Sequence, residues 1–452
     1  MNLPKSFEDR MKMILKDDYP SFIRTFESDD FYTAIRLNPK KENTKKLFDS
    51  IIKNKEPVSW CSDGFYIDKK NFSGNHPYHL AGLCYFQEPS AMSSVEAIPI
   101  NHDDFVLDLC AAPGGKSTQA GAKLSQDGLL ISNEIIPKRA SILAENIERF
   151  GLSNTIVTNE SPEKLSDKFT EFFDKIIVDA PCSGEGMFKK EPKAIQEWSE
   201  NHTKTCAVRQ KHILDCAYKM LCPGGMIVYS TCTFAPIENE GVVNYMLTTY
   251  PDLELFKTPL DMLAPGNSEW VNSSFDLSHT KRIFPHINRG EGHFVAVLKK
   301  AGNKPQRVIK TQKEDKNTKE AEKLFKEFEN KHLNTNICGH FKMFGDNLYL
   351  IPHGIDLDKL KVTRGGFHLG IIKKNRFEPS HALVLALKHE DIKQTVNYSC
   401  DDLELLKYLH GETILSDIVG YCAIMVDKNP IGWAKGSGGI LKNHYPKHLR
   451  LL

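Results

Sequence analysis

The stretch DFVLDLCAAPGGKST, residues 104–118, joins an apolar run to a Pro-Gly-Gly turn and a Lys-Ser-Thr tail. An apolar run of this length, broken by such a turn, reads as a strand passing into a helix. In open α/β sheets ligands lie at the carboxyl ends of the strands, so a ligand is expected at DLCAAPGGKST. Gly114 and Gly115 let backbone approach it closely. Two other glycine-rich readings fail on spacing. A phosphate-binding loop needs G-x-x-x-x-G-K-[ST]; Gly115, Lys116 and Ser117 fit its tail, but Cys110 stands where the first glycine must be. The dinucleotide fingerprint G-x-G-x-x-G is absent here.

Working outward, residues 103 to 300 alternate apolar strands with helical stretches, which predicts an α/β core with a parallel sheet and crossover helices. GLLISNE, NTIVTN, KIIVDAP and GGMIVYST read as the following strands, and GHFVAVLKK as the last. Between them Leu143, Ile147 and Phe150 share one helical face, with Gly151 as the cap. Ile213, Leu214, Ala217 and Leu221 form a second stripe. Ahead of the core (96–300), residues 1–95 form an α+β lead-in containing FYTAIRLN and GFYID. After it, the charged, aperiodic stretch 301–320 reads as a linker, followed by a small α+β module (321–390) and a β-rich module (391–452).

A length of 452 residues suits two or three domains, and 40% hydrophobic with 26% charged residues is ordinary globular composition. Lys plus Arg (59) nearly cancels Asp plus Glu (58), so any nucleic-acid site must be a local patch. The charged N-terminus MNLPKSFEDRMKMIL has no secretion signal, and no apolar run approaches the roughly 20 residues needed to cross a bilayer. A soluble, cytoplasmic protein without a membrane partner is expected. Eleven cysteines scattered without C-x-x-C pairs argue against a disulfide framework and against a metal site. Most are expected to be small buried hydrophobes.

At the end of the second strand, Glu134 is placed to accept both hydroxyls of a ribose. Asn159, after the third, is a candidate to meet an adenine amine. Cys182 in DAPCSGEG and Cys232 in YSTCT stand at two further strand ends, so both thiols can face one substrate in the same crevice. Cysteine is intrinsically nucleophilic, and its site can lower its pKa. Asp179, three residues before Cys182, can act as an acid if burial raises its pKa, or bind a base edge.

CAAPGGK (110–116), DAPCSGEG (179–186) and YSTCT (229–233), in that order, resemble the motifs of the Sun-type RNA cytosine-C5 methyltransferases. With KRIFPHINRGEGHFVAVL (281–298) and GWAKGSGGILKNHYPKHLR (432–450), the chain is most similar to the bacterial RsmF group of 16S rRNA methyltransferases. The resemblance implies a Rossmann-like class I methyltransferase core with S-adenosylmethionine as cofactor. It also implies that Cys110, Ala111, Ala112, Pro113, Gly114, Gly115, Lys116, Glu134, Asn159 and Asp179 contact that cofactor or the base. Cytosine C5 is a poor nucleophile until a group adds to C6; the resemblance assigns that addition to Cys232 and assistance in product release to Cys182. The family usually has Asp where Asn159 stands, although an amide can still hydrogen-bond adenine. DNA cytosine methyltransferases use the cysteine of a Pro-Cys pair, here Pro181-Cys182, but motif order and the second thiol favour RNA over DNA.

The implied partner is RNA, 16S rRNA or the small ribosomal subunit, with the target base flipped out or unpaired. A tRNA substrate is the alternative. A non-catalytic ribosome-assembly protein ranks below both, because the glycine loop and both thiols are intact. YFQEPSAM (85–92) resembles a segment lining the active site, and the lead-in resembles an RNA-binding domain. Lys428, Lys435, Lys442, Lys447 and Arg450, interleaved with Trp433, His444 and Tyr445, resemble a PUA-like module offering charge and stacking faces.

Overall fold

In the computed structural model, which describes residues 2–451 apart from 29, 30, 54, 71, 305, 308, 312–314 and 375, the opening stretch forms strand β1 (Phe105–Asp108) and helix α1 (Gly115–Lys123). β1 is buried along its whole length in the middle of the largest sheet. On one side lie β2 (Leu129–Asn133) and β3 (Thr155–Thr158), on the other β4 (Phe173–Asp179) and β5 (Leu221–Thr231), all parallel. β6 (His293–Lys300) runs antiparallel to β5. The order β3-β2-β1-β4-β5-β6 reverses between β1 and β4, so the loops after those two strands part and leave a crevice between them.

Crossover helices cover both faces: α2 (Pro137–Arg149), α3 (Pro162–Lys168), α4 (Glu200–Met220) and α5 (Glu240–Thr249). The expected stripe of α2 is buried at Leu143, Ile147 and Phe150, and Gly151 closes it at φ +74°. A side chain at Gly151 would meet the Leu385 carbonyl at 2.7 Å, so glycine also permits the C-terminal region to approach. The stripe of α4 ends sooner than expected. Leu221 already belongs to β5, because Pro223 has no N–H to extend the helix.

The lead-in is an antiparallel sheet ordered Glu56–Val58, Cys61–Ile67, Thr33–Leu37, Cys84–Phe86. Its preceding helices pack Phe7, Phe22 and Phe26 onto Phe188, Trp198, Phe234 and Phe284 beside the loops that follow β4 and β5.

Downstream of the core two expectations change. Of the stretch read as a linker, residues 305, 308 and 312–314 lie outside the described residues; Arg307 bonds Asp174 at 2.8 Å over the Phe105 ring, and a helix, Lys316–His332, begins within it with Asp315 accepting from the Thr318 N–H at 2.8 Å. The strand Val362–Arg364, from the region read as a separate module, pairs antiparallel with β3 and covers an otherwise open sheet edge. Two further sheets follow, one from His340–Phe344, Asn347–Ile351, Phe367–Lys373 and Arg376–Pro379, the other a mixed five-stranded sheet within 395–443.

In that last sheet the stacking expectation for Trp433 and Tyr445 is overturned. Both are 2% exposed; Trp433 is covered by Phe328 and Tyr421, and its indole donates to the Ser380 carbonyl at 2.9 Å. His444, Lys428, Lys435, Lys442 and Lys447 are exposed. Among the described residues no helix is long and apolar enough to cross a membrane.

Candidate active site

The glycine turn is built from its neighbours' hydrogen bonds. Ala111 N–H donates to the Asn133 carbonyl at 2.8 Å, Arg139 donates to the Ala112 carbonyl at 2.9 Å, and Asn146 donates to the Pro113 carbonyl at 2.8 Å. From the lead-in, the buried Arg36 reaches Gly115 O (3.1 Å), Thr118 Oγ1 (2.7 Å) and Gln87 Oε1 (2.9 Å). With the carbonyls so engaged, the first N–H groups of α1 have no partner inside the helix and remain for a ligand. Beneath them burial pushes the Asp108 carboxyl up to about 7, although it accepts from Ser117 Oγ at 2.7 Å.

Glu134 and Asn159 are brought together. The Asn159 amide donates to the Glu134 carbonyl at 2.6 Å, and Glu134 accepts from Ile136 N–H at 2.9 Å and pairs with Arg139 at 3.2 Å. Ile135, 59% exposed beside Glu134, offers an apolar face. The Asn159 amide is thus engaged with backbone, and its own N–H binds the Lys361 carbonyl at 2.8 Å.

Across the switch, Lys116 Nζ lies 2.8 Å from Asp179 Oδ2, and Ser230 Oγ donates to Asp179 Oδ1 at 2.9 Å. His293 stands 3.9 Å from the same oxygen. Burial, then Lys116, push that imidazole down to about 3, so it is neutral; its Nε2 is 3.1 Å from Ser94 Oγ. Desolvation works to raise Asp179, but the charge of Lys116 and the bonds from Lys116 and Ser230 outweigh it. The carboxyl sits below its ordinary range. A carboxyl held low in this way, 36% exposed at its side chain, favours the acceptor among the two roles expected of Asp179 over the acid.

The two thiols converge, with Cys182 Sγ 3.4 Å from Cys232 Sγ. The Cys232 sulfur, and then burial, hold the Cys182 thiol well above its ordinary range. Cys182 therefore keeps its proton within reach of the Cys232 sulfur. Gly186 N–H donates to the Cys232 carbonyl at 2.8 Å and ties the loops together. Both cysteines are partly exposed, unlike Cys61, Cys84, Cys206, Cys216, Cys222 and Cys422, which are buried.

Residues 96–299 match the family described as 16S rRNA methyltransferase RsmB/F, residues 3–89 the N-terminal domain of 16S rRNA methyltransferase RsmF, residues 327–387 the RsmF rRNA methyltransferase first C-terminal domain, and residues 395–451 the methyltransferase RsmF PUA domain. An Escherichia coli Ribosomal RNA small subunit methyltransferase F is 31% identical over 478 residues, spanning 98% of this chain and 96% of that protein. The chain belongs to the RsmF family of 16S rRNA methyltransferases. A second Escherichia coli protein of that name is 32% identical over 419 residues, 87% of this chain and 84% of its own. A solved methyltransferase homologue from Pyrococcus horikoshii is 29% identical with a TM-score of 0.59, covering 66% of this chain and 95% of its own.

As an RsmF-family chain it is an S-adenosylmethionine-dependent RNA methyltransferase. The residues present fit that cofactor. The free N–H groups at the start of α1 and the ionised Asp179 suit its charged amino-acid end, and the buried Glu134 carboxylate beside exposed Ile135 suits a ribose and an adenine face.

Several residues around the site were missed from sequence. Glu185 lies inside the quoted DAPCSGEG; fully buried, it accepts from Arg10 (2.5 Å), Trp198 (2.9 Å) and Phe234 N–H (3.1 Å). Glu238 and Glu240 follow YSTCT in an apolar setting, and a charged residue there was the available signal. Arg36 interrupts an apolar strand in the same way.

Proposed function

We propose that this chain methylates carbon 5 of a cytosine in 16S rRNA, with Cys232 as the attacking thiolate and Cys182 assisting release. The approach of the two sulfurs to 3.4 Å, with the proton held on Cys182, carries this reading. A thiolate that adds to C6 turns C5 into an enamine-like nucleophile. S-adenosylmethionine, when bound, supplies the electrophilic methyl group. The Asp179 carboxylate, kept ionised by Lys116, accepts from the cytosine amino group and orients the ring. Water takes the C5 proton, the pair from that C–H bond re-forms the C5–C6 double bond, the C6–S pair leaves on Cys232 as thiolate, and the Cys182 S–H stabilises it. The exposed lysines of the last module, Lys428, Lys435, Lys442 and Lys447, supply phosphate contacts, and the protein acts in the cytoplasm, where the small subunit is made.

Bisulfite sequencing of total RNA from cells with and without the protein tests this. A protected cytosine in 16S rRNA that converts only in the cells lacking the protein is the expected result. A site in tRNA instead would move the substrate, and no change in any RNA would overturn the reading.

A further inference from the structure

Ser183 follows Cys182 and Thr233 follows Cys232, and the two hydroxyls lie 2.9 Å apart. Both meet one carboxylate. Glu238 Oε1 accepts from Ser183 Oγ in a short bond and from Thr233 Oγ1 at 3.4 Å, while Oε2 accepts from Ser183 N–H at 2.9 Å and from Gln210 at 2.9 Å. Gln210, on α4, also donates to the Pro181 carbonyl at 3.1 Å, so the cysteine turn is held from both sides. The next residue extends the same support: Asn239 accepts from Thr231 Oγ1 at 2.6 Å and donates to the Thr233 carbonyl at 2.9 Å. Glu240 pairs with the buried Arg282 at 2.5 Å, and Arg282 donates to the Phe234 carbonyl at 3.0 Å. Glu238 is fully buried.

We propose that Glu238 is a positioning residue for both steps of the reaction, a clamp that sets the approach of the two thiols by gathering the residue after each cysteine onto one carboxylate. The inference rests on the two-thiol reading above. Glu185 ties the same loops further along by accepting from Phe234 N–H at 3.1 Å, whereas Glu238 meets the residue directly after each cysteine, and a misplacement of about 1 Å at the reacting groups can cost about 100-fold in rate.

The test compares Glu238→Ala and Glu238→Gln in methyl transfer to 16S rRNA, with S-adenosylmethionine affinity measured separately by titration calorimetry. The amide is isosteric and can hold both hydroxyls and the Ser183 N–H. The alanine variant should lose about 100-fold in kcat, with KM for RNA and cofactor affinity unchanged, and the glutamine variant should recover most of the loss. Should the alanine variant fail to fold, Ser183→Ala with Thr233→Val removes the same hydroxyl contacts and should show the same selective fall in kcat. Parental turnover in the variants, a glutamine variant as slow as alanine, or a fall in cofactor affinity alongside kcat would each overturn the clamp. Cys232→Ala and Cys182→Ala run in parallel separate the two ideas: turnover by the first, or no RNA adduct with the second, defeats the two-thiol reading whatever Glu238 does.

Discussion

Lys116 Nζ and Asp179 Oδ2 meet at 2.8 Å, so the residue that ends the glycine turn and the carboxylate that ends β4 form one ion pair across the switch in strand order. The glycine turn and the loop after β4 are thereby linked electrostatically. Lys116 also works against the desolvation that would otherwise raise Asp179.

Replacing Lys116 by Met leaves that desolvation unopposed by its main counterweight, and the Asp179 carboxyl should rise. In the parent the ionised form of Asp179 is lost only as pH falls through a value below the ordinary 3.8. In Lys116→Met that titration should move to higher pH. Carbon-13 NMR titration of the Asp179 carboxyl reads this apart from the ionisation of the thiols, and an unmoved midpoint would remove Lys116 as the controlling charge.

Cys232→Ala should abolish methyl transfer while S-adenosylmethionine still binds in calorimetry, since its sulfur lies outside the glycine turn. Cys182→Ala should retain attack but lose the donor 3.4 Å from the leaving sulfur, so a covalent protein–RNA band should build up on a denaturing gel. Turnover by the first variant, or a clean unshifted band with the second, counts against the assignment.

Arg36→Met should weaken both fold and cofactor site. It strips the donor from Gly115 O, Thr118 Oγ1 and Gln87 Oε1 in a buried setting. Stranded acceptors of this kind cost about 1–3 kcal/mol each, so a loss of about 3 kcal/mol in urea denaturation is expected. Calorimetry should show weaker S-adenosylmethionine binding at a temperature where the variant is folded.

Trp433 and Lys435 are two positions apart on one strand, the first covered and the second exposed, and should separate stability from RNA affinity. Trp433→Ala should cost about 3–5 kcal/mol, because a buried indole is removed. Lys435→Glu with Lys442→Glu should leave stability within about 0.5 kcal/mol yet weaken RNA binding and flatten its salt dependence. Filter binding across a salt series and thermal unfolding check the two arms.

Much of the core was legible because β1 and the strands after it are short apolar runs punctuated by glycine, proline and acidic residues, and that pattern depends only on neighbours in the chain. Cys182 and Cys232 could be placed at strand ends for the same reason. Arg10 and Glu185 could not be paired, since 175 residues separate them and only packing of the first helix under the catalytic loop brings them together. Nor could Val362–Arg364 be assigned to the core sheet, because three residues carry no period and the open edge of β3 selects them.

Residue order was enough for the strand-and-helix alternation, the glycine turn, the two thiols at strand ends and the family, all of which are set by local spacing and short motifs. The protonation of Asp179, the inward turn of Trp433 and the gathering of Ser183, Thr233 and Glu238 were decided by the folded chain alone. A side chain's charge and facing depend on which groups surround it in space, and those come from segments that the linear order keeps far apart.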